Sequence, residues 1–434
     1  MSNMIVGFIG FLLLLVLMFL RMPIAVAMGT VGVLGMGYLI DFNAGLNLLK
    51  TVPYGTIASY GFAVVPLFIL MGNFCFHAGV SRDLYHSVNK WMGQLRGGLA
   101  MATVGACAGF AAVSGSSMAT AATMGTVALP EMKKLKYDPG LATGAISAGG
   151  TIGILIPPSI ILVIYGILTE TSIGELFIAG FIPGILEAVF YILTIYILCK
   201  RDPYLGPAGP RTTFKEKVFS LKNTWMTLVL FLIVIGGIYL GVFSPSEAAG
   251  VGATGALILA ILRRRMTWKG FTESLIDTLK TSAMIFTILI GALVFGAFIA
   301  VTRLPFDLAG VVSELAMNRY VIFAMIMVVY IILGCMMVPM AIIILTIPIV
   351  FPLIVQQGFD PVWFGIMTVR ITEIAQITPP VGMNVFIIKG VAGEDVPMET
   401  VFRGILPFFI ADLIHVTMLL VFPQVATFLP SLMT

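Results

Sequence analysis

Residues 149–159 have the sequence GGTIGILIPPS, and residues 376–384 have the sequence QITPPVGMN. Each stretch places two adjacent prolines inside a long apolar run. Two prolines remove two backbone donors and clash with the preceding turn, so a helix must unwind there and leave carbonyl groups free. The two Pro-Pro pairs therefore predict two broken helices in one chain.

The two breaks belong to an internal repeat. Proline accounts for about one residue in twenty, so many proline coincidences at one offset indicate a duplication rather than drift. We therefore predict two copies of one unit. A shift of 222 residues, the distance from Pro157 to Pro379, also aligns Pro23 with Pro245, Pro130 with Pro352, and Asp138-Pro139 with Asp360-Pro361.

The composition is that of a membrane protein. Of the 434 residues, 59 % are hydrophobic and only 10 % are charged, whereas a soluble domain carries about 25 % charged residues. The long apolar runs match the roughly 17–25 residues that a helix needs to cross a bilayer. We predict an all-α integral membrane protein.

Several classes of function are disfavoured. The four Cys are isolated in apolar segments, which indicates neither a disulfide framework nor a zinc site. The sequence has no Walker loop, no Gly-x-Ser-x-Gly elbow and no His-Glu-x-x-His motif. We therefore predict that the chain is not an enzyme, does not itself hydrolyse ATP and needs no organic cofactor.

About ten segments are predicted to span the membrane. Two further apolar stretches, 97–130 and 320–357, are too long for one span and too short for two. We interpret each as a re-entrant hairpin, in which two half-length helices enter and leave on the same side. The ten predicted spans are residues 4–20, 23–40, 56–77, 141–168, 175–199, 225–242, 246–262, 281–301, 362–390 and 404–429.

The distribution of Lys and Arg supports this topology, because cytoplasmic loops are enriched in both. With Arg21 in the cytoplasm and both hairpins re-entrant, both termini are periplasmic. Each copy then has an odd number of spans, so the second copy is predicted to lie inverted, as in many secondary transporters. The basic residues that fall outside the cytoplasmic segments are Lys50, Arg303, Arg319 and Arg370.

The copies are predicted to occupy residues 1–200 and 225–434, joined by a cytoplasmic linker at 201–224. Each copy ends with the same three units, a hairpin, a broken span and a further span. These units are 97–130, 141–168 and 175–199 in the first copy, and 320–357, 362–390 and 404–429 in the second.

The tip of the first hairpin is a candidate binding site. Residues 112–120 have the sequence AVSGSSMAT, in which Ser114, Ser116 and Ser117 surround a predicted helix break. Backbone groups at mid-membrane depth need a partner from protein, ion or water. Hydroxyl and carbonyl oxygens at such a break can ligate Na⁺, and the N-terminus of the following helix favours an anion. The alternative interpretation is a small-residue surface for helix packing.

The Pro-Pro breaks are the second kind of candidate site. A broken helix that faces a hairpin tip is the expected geometry of an ion or solute site in a transporter. The alternative is a proline kink whose free carbonyls are satisfied by neighbouring helices. Beside Ser117, the candidate solute-binding residues are Thr151, Pro157, Arg370, Pro379 and Asn384.

Charged residues inside the predicted spans are few, as expected from their cost of roughly 2.5–3.5 kcal/mol at a span centre. Arg370 and Glu373 are three residues apart, so we favour a structural ion pair between them. Arg370 could instead contact an anionic solute. Asp412 and His415 have the same spacing, and we expect them to pack or to snorkel towards the interface. Glu187 is also predicted to lie in mid-span.

Taken together, these motifs resemble the large membrane subunit of TRAP transporters, the tripartite ATP-independent periplasmic family, over essentially the whole chain. Val338 and Arg370 differ from the residues usual in that family. The motifs that carry the resemblance are FSPSEAAG at 243–250, SGSS at 114–117, LPEMKK at 129–134, YDP at 137–139, GILIPPS at 153–159 and TPPVG at 378–382.

The resemblance implies a Na⁺-driven carrier of organic acids in a bacterial inner membrane. It implies an elevator motion, in which hairpins and broken helices move against scaffold spans at residues 1–80 and 225–301. The implied partners are a small four-span membrane subunit and a periplasmic solute-binding protein. By position, one Na⁺ site would use Ser114, Ser116, Gly150 and Gly153, and the other would use Gly334, Thr378 and Val381.

Two other functions remain open on the sequence alone. One is a stand-alone ion-coupled dicarboxylate carrier of related fold that needs no binding protein. The other, more remote, is an intramembrane enzyme or a structural membrane scaffold.

Overall fold

A computed structural model describes residues 2–307, 310, 318–335 and 337–433. Every regular element in these ranges is a helix, so the all-α prediction is confirmed. Parts of the predicted second repeat, residues 308, 309 and 311–317 together with Met336 of the hairpin 320–357, lie outside the described residues.

The first half of the chain contains ten α-helices, of which two were not expected as separate elements, and a 3-10 turn at Tyr60–Ala63. These two, α3 and α5, follow the second and third predicted spans. The helices are α1 (Asn3–Phe19), α2 (Ile24–Leu39), α3 (Phe42–Ile57), α4 (Val64–His77), α5 (Val80–Met92), α6 (Gly98–Ser114), α7 (Ser117–Lys134), α8 (Pro139–Leu155), α9 (Ile160–Thr169) and α10 (Ile173–Arg201).

The second half ends in the same order of helices as the first: a helix pair, a broken helix and a long helix. Its elements are α11 (Phe214–Ser220), α12 (Trp225–Tyr239), α13 (Pro245–Leu262), α14 (Trp268–Thr302), α15 (Arg319–Gly334), α16 (Pro339–Gln356), α17 (Pro361–Ala375), α18 (Met383–Ala392), α19 (Met398–Val421) and α20 (Gln424–Thr427).

Six helical segments are individually long and apolar enough to cross a membrane, and two bent pairs raise that number to eight within the described ranges. Large apolar side chains such as Phe8 on α1 and Leu232 on α12 are exposed, as expected of surfaces that face lipid. The integral-membrane fold is therefore confirmed. The exact number of spans, the re-entrant paths and the inversion of the second copy stay predictions.

The helix breaks lie at the predicted places. α6 ends and α7 begins around Gly115, whose φ of 59° suits glycine. α8 and α9 are bent by 40° across the first Pro-Pro pair. α17 and α18 are separated by the second pair and by Gly382 at φ 61°.

The two broken helices begin with the same cap. The Asp138 carboxylate accepts a hydrogen bond from the Leu141 backbone N–H at 2.8 Å, and the Asp360 carboxylate accepts one from the Trp363 N–H at 2.7 Å. An aspartate before a first-turn proline is a strong start signal for a helix. The repeated Asp-Pro motif thus sets where α8 and α17 begin.

α8 and α17 form the centre of the molecule, and nearly all of their residues are buried. α8 packs against α6, α7 and α19. At the crossing with α19, a Cβ on Gly404 would collide with the Gly140 backbone, and a Cβ on Gly144 would collide with the Gly404 carbonyl. Glycine at these positions lets two membrane helices approach closely.

Gly404→Val is expected to destabilise the protein by about 1–3 kcal/mol or more, because the new side chain forces α8 and α19 apart. Thermal unfolding of the purified protein in detergent measures this as a lower Tm. Gly296→Val in α14 is the control, since a Cβ there meets nothing within 4 Å. Equal Tm values for the two variants would show that the crossing is not tightly packed.

Candidate functional site

A cavity of about 660 Å³ lies where the first helix break meets the start of α16. We call it the central cavity. Its wall includes residues 114–117 from the first hairpin tip and residues 338–340 from the second. α6, α8 and α9 also line the cavity, and α4 and α14 contribute among others Asn73, His77, Glu273, Asp277 and Thr281.

Hydroxyl groups and backbone oxygens converge at the first tip. The Ser114 and Thr120 hydroxyls are 2.9 Å apart, and the Thr120 hydroxyl donates to the Ser116 carbonyl at 2.8 Å. Ser116 caps α7, where its Oγ accepts from the Ala119 N–H at 3.3 Å. The tip is therefore a compact group of oxygen atoms at a helix N-terminus.

α8 lies directly against this tip. A Cβ built on Gly153 would sit 3.1 Å from the Ser116 carbonyl oxygen, and one on Gly150 would sit 3.2 Å from the Ser117 carbonyl oxygen. The structure thus brings Ser114, Ser116, Gly150 and Gly153 together, as the first predicted Na⁺ site requires. Hard cations prefer oxygen ligands of this kind.

Near the residues predicted for the second Na⁺ site lies Gln376, which the sequence reasoning did not select. The Gln376 amide donates to the carbonyl oxygens of Gly334 and Met337, each at 3.3 Å. It therefore ties the second Pro-Pro break to the end of α15. The sequence feature that could have indicated this role is a single amide side chain, that of Gln376, next to a Pro-Pro pair in an apolar run.

The remaining candidates of this second site lie in the same break. The Thr378 hydroxyl donates to the Ile374 carbonyl at 2.7 Å, and Val381 lies between the prolines and α18. The Pro379 carbonyl is 3.6 Å from the Cys335 sulfur at the end of α15. Gly334, Thr378 and Val381 are thus placed around one junction between α15 and the break.

The candidate solute-binding residues do not all reach the central cavity. Ser117 lines it. Asn384 is buried and its amide donates to the Ser147 carbonyl at 3.4 Å, while Pro157 is buried and Pro379 is exposed. Thr151 and Arg370 belong instead to a buried ionic network, and both lie outside the described cavity wall.

Arg370 is the centre of this ionic network. Its guanidinium forms an ion pair with Glu187 at 2.9 Å and a second with Asp412. Its Nε donates to His415 Nδ1 at 3.2 Å. Glu187 also accepts from the Thr151 hydroxyl at 2.9 Å. All five side chains are fully buried.

One prediction about these charges is wrong. Arg370 does not pair with Glu373 on its own helix, because α10 and α19 present Glu187 and Asp412 at ion-pair distance. For Asp412 and His415 the structure shows the packing alternative and not snorkelling, because α19 turns them towards α8 and α10, where both are fully buried.

The central cavity presents no Lys or Arg in its described wall. Its positive electrostatic features are helix N-termini, since α7 begins at Ser117 and α16 begins at Pro339, and both residues line it. Free backbone N–H groups and the helix dipole favour an anion at such ends. Glu273 and Asp277 add negative charge elsewhere in the wall.

Sequence comparison identifies relatives over the whole chain. Residues 11–425 match the family described as "Tripartite ATP-independent periplasmic transporter, DctM component". The C4-dicarboxylate TRAP transporter large permease protein DctM of Pseudomonas aeruginosa is 37 % identical, over 87 % of this chain and 88 % of the relative. The sialic acid permease protein SiaM of Vibrio cholerae is 33 % identical, over 100 % and 99 %.

A third relative is named for a different solute. The ectoine/5-hydroxyectoine TRAP transporter large permease protein UehC of Ruegeria pomeroyi is 32 % identical, over 97 % of this chain and 98 % of the relative. Among solved structures, the YdaH transporter of Alcanivorax borkumensis is similar in fold, with a TM-score of 0.67 and 15 % identity over 89 % of this chain and 90 % of that one. The chain therefore belongs to the DctM family, the large permease component of tripartite ATP-independent periplasmic transporters.

Proposed function

We propose that this permease takes up a small organic acid across the bacterial inner membrane by coupling its transport to Na⁺. Family membership makes the chain a multi-pass transporter subunit of a tripartite system rather than an enzyme. In the proposed system, a periplasmic binding protein delivers the solute and a small four-span subunit accompanies the permease. Elevator movement of the hairpins and broken helices is part of the same proposal.

The observation that carries the Na⁺ proposal is the oxygen cluster at the first tip. The Ser114 hydroxyl and the Ser116 carbonyl are within one hydrogen-bonded group that includes Thr120. Because Gly150 and Gly153 have no side chains, α8 lies directly against that group. Each oxygen is neutral, so the site suits a monovalent hard cation held by dipoles rather than by carboxylates.

The lack of basic side chains in the described cavity wall explains why a bound cation would favour binding of an anion. Because no Lys or Arg lines its described wall, an anion there has helix N-termini, hydroxyl groups, the Asn73 amide and the His77 imidazole as partners. A Na⁺ bound at the Ser114–Ser116 tip adds a full positive charge next to the cavity. Anion binding is then favoured when Na⁺ is present, and by linkage the anion favours Na⁺ binding equally.

The binding protein that delivers the solute can be used to find out which compound it is. We expect the cognate binding protein to show a raised Tm with one small carboxylate or zwitterion from a panel of such compounds. Proteoliposomes that contain the complete permease complex should then accumulate that compound when the binding protein and an inward Na⁺ gradient are both present. Replacing Na⁺ by K⁺ or omitting the binding protein is expected to abolish accumulation. Full uptake with K⁺ would disprove Na⁺ coupling.

Ser116→Leu is expected to reduce Na⁺-dependent uptake at least about tenfold, because it removes a hydroxyl and crowds the tip. Loss of the N-cap by itself costs about 1 kcal/mol. Ser172→Leu is the matched control, since Ser172 caps α10 in the same way, with its side chain accepting from the Glu175 N–H at 3.3 Å. Uptake that falls equally in both variants would attribute the effect to capping and not to the site.

A further inference from the structure

Glu373 is a fully buried carboxylate that the proposed Na⁺ mechanism does not use. It lies on α17 with no exposed surface. Neither of its carboxylate oxygens has a hydrogen-bond partner among the described residues. The Ser117 side chain lies close to the carboxyl group. Burial of an unpaired ionised carboxylate is very costly, so such a group normally takes up a proton.

The charges around Glu373 lead to the same conclusion. Glu187 and Asp412 both pair with the single guanidinium of Arg370. His415 accepts the Arg370 Nε–H through Nδ1, so the imidazole is neutral in this arrangement. An ionised Glu373 would add a third negative charge to a fully buried cluster that already contains two carboxylates and one cation.

Apart from Arg370, the cations of the helices packed on α17 are exposed near helix ends and do not share the buried setting of Glu373. They are Arg319 on α15, Lys200 and Arg201 on α10, and Arg403 on α19. α8, α16 and α20 carry no titratable side chain. The Tyr330 hydroxyl of α15 is engaged by Thr346 at 2.6 Å, and the Tyr165 hydroxyl of α9 donates to the Pro361 carbonyl at 2.6 Å. The Tyr191 hydroxyl of α10 donates to Asp412 at 2.5 Å.

The position of Glu373 connects it to both hairpin tips. Ser117, beside the carboxyl group, is the first residue of α7 and lines the central cavity. Three residues further along α17, Gln376 donates to the carbonyl oxygens of Gly334 and Met337 at the second tip. A movement of either tip away from α17 would therefore change the solvation of Glu373.

We propose that Glu373 is a proton-binding site of the carrier, protonated while the first tip covers it and deprotonated when movement of that tip admits water. In the step, the O–H bond of the carboxylic acid breaks, the proton passes to water and the carboxylate remains. Transport is then sensitive to pH and moves a proton in addition to Na⁺. The assignment of Glu373 as a proton-binding site is argued from the geometry of α17. The proton flux, in contrast, depends on the proposed uptake function.

The protonation state can be tested without knowing the solute. Infrared spectra of the full-length permease in lipid nanodiscs at neutral pH are expected to show the C=O stretching band of a protonated carboxyl group. Glu373→Gln should lose this band, whereas Glu394→Gln, which changes a carboxylate in the exposed turn after α18, should keep it. An unchanged band in Glu373→Gln would overturn the proposal. If the Gln variant does not fold, Glu373→Asp should retain the band at a shifted frequency, and an unshifted band overturns it.

The proton flux is tested in proteoliposomes that contain the complete complex and a pH-sensitive dye in the lumen. With the compound identified by the binding-protein screen, wild-type uptake is expected to acidify the lumen and to depend on external pH. Glu373→Gln should lose the acidification and the pH dependence, while Glu394→Gln keeps both. Equal pH profiles for wild type and Glu373→Gln overturn proton exchange at Glu373. Failure of Na⁺-dependent uptake in wild type would instead disprove the Na⁺ proposal, and the infrared result is independent of it.

Discussion

The structure depends on one constraint, which is that backbone groups released at a helix break find no partner in lipid. Both Pro-Pro breaks release such groups. The chain places α8 and α17 at its centre, and the first hairpin tip covers the first break, whereas Pro379 and Pro380 of the second break are exposed. At the first break, Gly115 of the tip lies so close that a Cβ there would be 2.7 Å from the Pro158 carbonyl oxygen. At the second, Gln376 supplies an amide to two tip carbonyls.

The same constraint explains why small residues cluster around α8. A helix whose end is unwound must be approached closely from several sides to be shielded. Gly150 and Gly153, near the break, admit the first tip. Gly140 and Gly144, at the opposite end of α8, admit α19 for close helix packing. These contacts replace the hydrophobic effect, which contributes little between helices that are surrounded by lipid. The oxygen atoms at the tip are therefore a consequence of shielding a break, and they are also what a cation needs.

The sequence was sufficient for the features that follow from local chemistry. Pro157-Pro158 and Pro379-Pro380 predicted the breaks, and the serine-rich tip lies at a helix N-terminus as expected. The Asp-Pro pairs at 138–139 and 360–361 were used only as markers of the repeat, although each also sets the start of a helix. Each of these depends on residues close together in the chain, so the pattern alone is informative.

Contacts between distant segments could not be predicted in the same way. Arg370 was assigned to Glu373 because spacing on one helix is visible in a sequence, whereas the approach of Glu187 and Asp412 from α10 and α19 is not. Helix packing also decides that Asp412 and His415 face the interior. Gln376 was missed for the same reason, since its two partners lie about forty residues away in the chain.

Burying the ionic network costs free energy, and this cost helps to define the role of the network. Removing two carboxylates and a guanidinium from water costs several kcal/mol per ion, and their attraction offsets this only when the geometry is well satisfied. A network of this kind therefore contributes more to a unique arrangement than to stability. It joins α8 and α10 of the first half to α17 and α19 of the second through Thr151, Glu187, Arg370 and Asp412.

Such a network links α8 and α17, the first parts of the two broken helices. In the proposed elevator movement, α8 and α17 would therefore move together with the hairpins, and opening of a hairpin tip would be an additional local movement against them. In the proposed mechanism, a solute in the central cavity would be sensed through the tips and not through Arg370, which does not line the described cavity wall. Since that wall carries no Lys or Arg, an anion there would depend on helix N-termini, on neutral polar groups and on the cation proposed to bind at the tip. The proposed coupling would thus follow from the absence of a permanent positive charge in the cavity.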